Sequence, residues 1–95
     1  MVRHLRRRLL PAAAWFEVYV HLRSVDPARN RDRSYTLTWC PALFGDGALV
    51  RAWGRTGGAE QTRTDYYPDR AAAQDHVAAI LRRRLCHGYR VVTWQ

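Results

Sequence analysis

Residues 51–55, with the sequence RAWGR, place a tryptophan between two arginines at alternate positions. In a β-strand, Arg51, Trp53 and Arg55 project from one face, because successive side chains alternate. An indole ring stacks on other flat rings, and guanidinium groups bind phosphates and carboxylates. The motif therefore predicts a surface that holds a flat, negatively charged partner. The alternative interpretation is that the ring fills the core and the arginines are solvated.

Glycines within and after the motif indicate a hairpin. Gly54 permits a close backbone approach or a bulge, and Gly57 with Gly58 favours a tight turn before a returning strand over residues 60–67. Asp65 lies on that strand and can neutralise one arginine. Surface arginines that only maintain solubility are the competing interpretation. The residues that we predict to bind nucleic acid share one face of this hairpin; they are Arg51, Trp53, Arg55, Gln61 and Arg63.

The overall charge of the chain is strongly basic. Its 95 residues include 16 arginines, no lysine and 8 acidic residues, which gives a net charge of +8. Half of this excess lies in residues 1–14, which we predict to be a flexible basic arm in front of one domain, residues 15–95. Long-range attraction favours a polyanionic partner. The alternative is that the arginines reflect the composition of a GC-rich genome.

The cysteines and the apolar segments indicate the cellular compartment in which the protein is expected. Cys40 and Cys86 are far apart and form no CxxC motif, which predicts reduced thiols and a cytoplasmic protein. Residues 9–16 form an apolar run that Pro11 interrupts. This run is at the short end for a signal peptide and too short to span a membrane. We therefore expect neither secretion nor membrane association.

The hydrophobic periodicity predicts an α+β fold, with an antiparallel sheet of four to five strands and one amphipathic helix packed across it. Strands are predicted over residues 15–23, 35–40, 48–56, 60–67 and 89–94, with a basic loop over residues 24–34. The buried faces of the first two strands are predicted to comprise Phe16, Val18, Val20, Leu22, Tyr35, Leu37 and Trp39.

The period changes to that of a helix in residues 68–88. Asp69 is the predicted N-cap and Gly88 the predicted C-terminal stop. The arginines at residues 82–84 complement the helix dipole as a solvated end, or alternatively bind a ligand. The residues predicted to face the sheet recur at helical spacing; they are Ala73, Val77, Ile80, Leu81 and Leu85.

An ordered set of short motifs carries a family resemblance. WGRTG follows a strand, an amphipathic helix comes next, and Gly88-Tyr89 closes the set. Together with VDPARNRDRSYTL, PALFGDGALVRAWGRTG and RRRLCHGY, these motifs extend from about Trp15 to Tyr89. They resemble the WGR domain, and they are closer to its small stand-alone bacterial members than to the copy inside poly(ADP-ribose) polymerases.

The resemblance implies an antiparallel sheet with one helix and a role in recognising DNA breaks, as in the polymerases. There the motif tryptophan stacks at the end of the duplex near a 5′ terminus, and the motif arginine helps to hold neighbouring domains together. By resemblance, Trp53 is the stacking residue and Arg55 is the contact residue. The partner of Arg55 in this chain stays open between a phosphate, a partner protein and none. One position departs from the family pattern G-x-x-G-Q: Glu60 precedes Gln61, so that Gly58 takes over the turn and an acid lies where phosphate is expected.

The sequence gives no support for a catalytic, metal or cofactor site. Ser24 and Ser34 have no nucleophile-elbow motif, and no glycine-rich phosphate loop precedes a helix. Cys86 and His87 are adjacent on a helix and therefore point in different directions. The cysteines and histidines also lack zinc-ligand spacing. We predict that the protein is not an enzyme and needs no cofactor.

These observations predict a small nucleic-acid-binding module, with DNA as the first expectation. It is expected to bind phosphates and an exposed base or strand end, with little sequence specificity. The alternative is a protein–protein interaction module that uses the same Trp/Arg surface, because both residue types are enriched at binding hot spots. A third hypothesis is an accessory factor of a plasmid or a toxin–antitoxin system.

Overall fold

An antiparallel β-sheet and one long helix form the part of the chain that this computed structural model describes, residues 3–4 and 19–95. The elements are β1 (Arg3–His4), β2 (Tyr19–Asp26), β3 (Arg31–Pro41), β4 (Gly47–Arg55), β5 (Glu60–Tyr67), α1 (Arg70–Cys86) and β6 (Arg90–Trp94). The strands lie in the spatial order β1-β6-β2-β3-β4-β5. The predicted α+β fold is confirmed, and a two-residue strand near the N-terminus adds to the predicted strands.

The connection between β2 and β3 is much tighter than the sequence predicts. In place of a loop over residues 24–34, β2 continues to Asp26 and β3 begins at Arg31. A short 3₁₀ turn, Pro27–Arg29, is followed by Asn30 in the left-handed conformation, with φ 53°. Asparagine tolerates this conformation better than most residues, because its short polar side chain can hydrogen-bond locally. The polar residues of the expected loop therefore extend both strands.

The hydrophobic core lies between α1 and one face of the sheet. The described residues of the predicted strand faces are buried, whereas Phe16 and Val18 lie outside the described residues. The prediction for Leu85 is wrong, because this side chain is 39% exposed. Arg84, one residue earlier, covers Tyr35 and Tyr89 at that end of the helix. The helix contributes Ala73, Val77, Ile80 and Leu81 to the core.

Both ends of α1 have clear physical causes. The Oδ1 atom of Asp69 accepts a hydrogen bond from the backbone N–H of Ala72 at 2.7 Å, which confirms the predicted N-cap. At the other end, Gly88 has φ +85°, and the N–H of Tyr89 donates to the carbonyl of Arg84 at 3.1 Å. This reversal leads directly into β6 and buries the Tyr89 ring.

The N-terminal arm predicted for residues 1–14 is described only at Arg3–His4, which pair with Trp94 and Thr93 of β6. The rest of the arm, and the apolar run over residues 9–16, lie outside the described residues. Within the part of the chain that is described, no helix has both the length and the apolar character needed to cross a membrane.

Candidate nucleic-acid interface

Trp53 lies on the face of the sheet that carries the helix, near the end of β4. Its neighbours across the strands are Tyr35 on β3 and Gln61 on β5. The rings of Trp53 and Tyr35 stack, with their centroids 5.8 Å apart and their planes at 19°. Trp53 is half-buried and packs against the core. The structure thus combines the two predicted alternatives, since one part of the ring supports the core and another part is accessible.

Arg51 and Arg63 lie opposite each other on β4 and β5, and one carboxylate holds both. Arg51 Nη2 is 3.2 Å from Asp65 Oδ2, and Arg63 Nε is 3.4 Å from Asp65 Oδ1. The side chain of Arg51 is only 14% exposed, whereas that of Arg63 is 63% exposed. Asp65 therefore offsets charge on two arginines, where the sequence predicts neutralisation of one.

Arg55 is anchored to the turn between β2 and β3. Its Nη1 atom donates to the carbonyl oxygen of Asn30 at 3.0 Å, and its Nη2 atom donates to Asn30 Oδ1 at 3.1 Å. The side chain nevertheless remains exposed. In this chain, Arg55 thus holds a turn of its own domain and still presents a guanidinium group to solvent.

The turn that follows the motif depends on glycine at two positions. A Cβ atom added to Gly54 would lie 2.5 Å from the carbonyl oxygen of Ala59, which is closer than real Cβ atoms approach an oxygen. Gly57 has φ +80°, in the left-handed region that favours glycine. The middle residue of the W-G-R motif therefore allows β4 to pass close to the start of β5.

Gln61 and Glu60 lie on opposite faces of β5. Gln61 is exposed and lies opposite Trp53, whereas Glu60 lies opposite Gly54. Side-chain alternation therefore puts Glu60 on the helix-free face. Burial, and secondly the charge of Glu60, raise the pKa of Tyr19 on that same face. The acid that departs from the family pattern consequently does not share the face of Trp53.

The arginines at residues 82–84 do not act as one solvated group. The first two are exposed, but the guanidinium group of Arg84 lies over the ring of Tyr35, 5.2 Å from its centroid. Arg84 follows the buried Leu81 by three residues, so the helical period places it on the face toward the sheet. This spacing is the sequence signal that separates Arg84 from its two neighbours.

The rest of the described chain offers little chemistry beyond binding. Within residues 3–4 and 19–95, no group of three or more His, Cys, Asp or Glu side chains could hold a metal ion. Cys40 and Cys86 are free and exposed. A hydrogen bond between Tyr67 Oη and His76 Nδ1 joins β5 to α1. Among the described residues, the surface around Trp53 can bind a ligand by ring stacking and by hydrogen bonds from guanidinium groups.

Comparison with known proteins identifies the fold that carries this surface. Residues 18–93, most of the chain, match the WGR domain. The chain belongs to the WGR domain family. WGR domains serve as nucleic-acid-binding modules in proteins that resemble poly(ADP-ribose) polymerases. The predicted family membership is thus confirmed, and the motif that gives the family its name is the segment containing Trp53.

This WGR domain is also similar to the uncharacterized protein y4dW of Sinorhizobium fredii (strain NBRC 101917 / NGR234), with 34% identity over 71 residues. The match covers 75% of this chain and 35% of that relative. The chain thus corresponds to about a third of the length of the relative. No solved structure matches the chain significantly.

Proposed function

We propose that this WGR domain binds DNA through the surface around Trp53. Family membership supports nucleic acid as the class of ligand. The observation that carries the proposal is the position of Trp53, half-buried against Tyr35 on a face that also bears arginines. The stack orders the indole before a ligand arrives, which reduces the entropy lost on binding. A base or sugar on the accessible part of the ring contributes about 1–3 kcal/mol.

The arginines beside Trp53 provide the electrostatic part of the proposed mechanism. Arg55 is exposed and oriented by Asn30, so it can meet a phosphate without first becoming ordered. Arg51 and Arg63 add less net charge, because they share Asp65. With so few contacts, binding is expected to be weak, sensitive to salt and tolerant of sequence, with a Kd of about micromolar or weaker at physiological salt.

The test is a titration of fluorescein-labelled DNA, followed by anisotropy across a salt series, with blunt, recessed and single-stranded ligands. The logarithm of the affinity is expected to fall linearly with the logarithm of the salt concentration. Loss of stacking in Trp53→Ala should weaken binding about 5- to 150-fold. Trp53→Phe is the matched control, since it keeps a flat ring on Tyr35 and should retain much of the affinity.

Circular dichroism and thermal unfolding of each variant must accompany this titration, because Trp53 also supports the core. A Trp53→Ala variant that stays folded and binds DNA as tightly as the wild type would contradict the proposal. So would a wild-type domain that binds none of the three ligands at low salt.

The absence of catalysis and the cytoplasmic location stay predictions from the sequence.

A second candidate function is the binding of a protein partner. Beyond the Trp/Arg surface itself, one feature favours it: Leu43 and Phe44 in the β3–β4 turn are 91% and 92% exposed. The exposed Tyr66 lines an open pocket of about 480 Å³ together with Cys40 and Ala42, the residue before Leu43. Exposed apolar groups of this kind mark interaction sites.

The apolar turn and the surface around Trp53 lie at opposite ends of β4, so substitutions can separate a protein partner bound at that turn from DNA bound at Trp53. A double variant, Leu43→Ser with Phe44→Ser, should bind DNA with unchanged affinity and the same salt dependence. Loss of DNA binding in this folded variant would show that the apolar turn, rather than the surface around Trp53, contacts the nucleic acid.

A further inference from the structure

The charge differs sharply between the two sides of Trp53 along its strand. Arg51 lies two residues before Trp53, and Arg55 lies two residues after it. On the Arg51 side, Asp65 is bonded to two guanidinium groups. On the Arg55 side, the residue directly opposite on β3 is another arginine, Arg33. We call Arg33, Arg55 and Arg84 the basic corner.

Arg33 and Arg55 form a like-charge pair that the fold offsets only in part. Like charges directly opposite on neighbouring strands destabilise a sheet. Arg33 is exposed, and it makes no ion pair or side-chain hydrogen bond with any residue in the described ranges 3–4 and 19–95. The adjacent Asp32 projects toward the other face of β3, where Arg23 holds it at 2.8 Å. The charge of Arg55 also helps to lower the pKa of Asp32, so among the described residues Arg55 is offset in part and Arg33 is not. An anion bound between the two arginines would relieve this repulsion.

Arg84 brings a third guanidinium group to the same end of the sheet. It lies 5.2 Å from the ring centroid of Tyr35 and 5.7 Å from that of Tyr89. Among the described residues, no carboxylate pairs with it and no acceptor takes a hydrogen bond from its side chain. The two rings orient the group while its N–H donors stay available, and such donors bind phosphate strongly.

Tyr35 connects the stacking surface to the basic corner. The Tyr35 ring contacts both the Trp53 ring and the Arg84 guanidinium group. Arg33 lies two residues before Tyr35 on β3 and therefore shares its face. A nucleotide stacked on Trp53 would thus have its neighbouring phosphates within reach of Arg33 and Arg84 on one side, and of the partly neutralised Arg51 and Arg63 on the other.

We infer that the phosphates next to the nucleotide on Trp53 bind at the basic corner, with Arg33 and Arg84 as ligands beside Arg55. In this assignment, the Arg51–Arg63 pair serves mainly to hold Asp65 and the β4–β5 hairpin. The inference rests on the proposed DNA binding. It adds two ligands that lie outside the W-G-R motif and on two other elements, β3 and α1.

The test compares four single substitutions by DNA anisotropy across a salt series: Arg33→Ala, Arg84→Gln, Arg63→Ala and Arg82→Ala. Each removes one positive charge, so the change in overall charge is the same in all four. Arg82 is the matched control for Arg84, since it is exposed on the same helix two residues away. Arg63 is the comparison on the other side of Trp53, where a carboxylate shares its charge.

For duplex DNA, Arg33→Ala and Arg84→Gln should each reduce the slope of log affinity against log salt concentration by about 0.9 in magnitude. At 0.1 M salt this corresponds to about eightfold weaker binding. Arg82→Ala should change the affinity less than about twofold and leave the slope unchanged. Arg63→Ala should lower the slope by less than Arg33→Ala does, because Asp65 already offsets part of the charge of Arg63. Arg84→Lys, which keeps the charge, should restore most of the slope. A purely structural role of Arg84 would instead lower the melting temperature of Arg84→Gln without changing the slope.

Three outcomes would overturn the inference while leaving the proposed function intact. One is an equal loss of slope in all four variants, which indicates a diffuse charge effect. Another is a loss confined to Arg63→Ala. The third is an unchanged slope in both Arg33→Ala and Arg84→Gln. If the wild-type domain binds no DNA at low salt, the proposed function fails and the inference fails with it.

Discussion

At residue 54, a hydrogen atom in place of a side chain allows β4 to run close to the carbonyl oxygen of Ala59. Gly54→Ala should lower the free energy of unfolding by about 2 kcal/mol or more, because the backbone must shift to admit a methyl group. Urea denaturation measures this loss. Gly58→Ala is the control: this residue has no positive φ, and its nearest contact would be a carbonyl oxygen at 3.3 Å. Equal losses in the two variants would contradict the explanation.

The sequence predicted which residues of the motif share a face, but not how their charges are balanced. Alternation alone puts Arg51 and Trp53 on one side of a strand, and the structure agrees. The sharing of Asp65 between Arg51 and Arg63 depends on the register of β4 against β5, which a two-residue repeat does not specify. The bond from Arg55 to Asn30 depends on a turn that the sequence indicated only as a longer loop.

At the scale of single elements, both a local hydrogen bond and packing against the sheet stabilise the start of helix α1. Asp69 accepts a hydrogen bond at the first turn, and Asp69→Ala should cost about 1 kcal/mol of unfolding free energy. Chemical denaturation of the two proteins measures this difference. Asp69→Asn keeps an acceptor and should lose only a few tenths of a kcal/mol. An unchanged stability of Asp69→Ala would show that packing against the sheet alone fixes the start of the helix.

Element types were easier to predict than element ends. The bounds of β5, Glu60–Tyr67, agree with the sequence prediction, because Gly57 and Gly58 precede it and Pro68 follows it. The bounds of β2 and β3 differ, since polar residues can occupy an exposed hairpin as readily as a loop. The contacts of Arg84 could not be predicted for a related reason. A charged residue near the end of a helix is expected to be solvated unless aromatic rings are known to lie beneath it, as Tyr35 and Tyr89 do here.

At the scale of the whole molecule, the stability of the domain should depend on pH through His21. Its Nε2 atom lies 3.0 Å from Ser34 Oγ on the helix-free face. Burial, and secondly the charge of Arg23, lower the pKa of His21 below its ordinary value of 6.5. The unfolded chain therefore takes up this proton first. The contribution of His21 to stability is complete above pH 6.5 and is lost as the pH falls toward the lowered pKa.

The midpoint of urea unfolding should accordingly be lower at about pH 5 than at about pH 7.5, and the difference should be smaller in His21→Gln. Asp32 does not interfere in this range. A hydrogen bond from Arg23 is the chief cause that holds the pKa of Asp32 below its ordinary 3.8, so its own effect appears only in stronger acid. An identical pH dependence in His21→Gln would assign the change to another group.

The most direct test of the central claim is a residue-resolved titration of the tryptophan indoles. The chain has four tryptophans, and Trp39 and Trp94 are buried in the core as internal controls. In ¹H–¹⁵N spectra recorded while a short DNA duplex is added at low salt, the indole signal of Trp53 should move progressively, and added salt should reverse the change, while the signals of Trp39 and Trp94 stay in place. A Trp53 signal that does not move while DNA binds, or shifts confined to the turn that contains Leu43 and Phe44, would contradict the account.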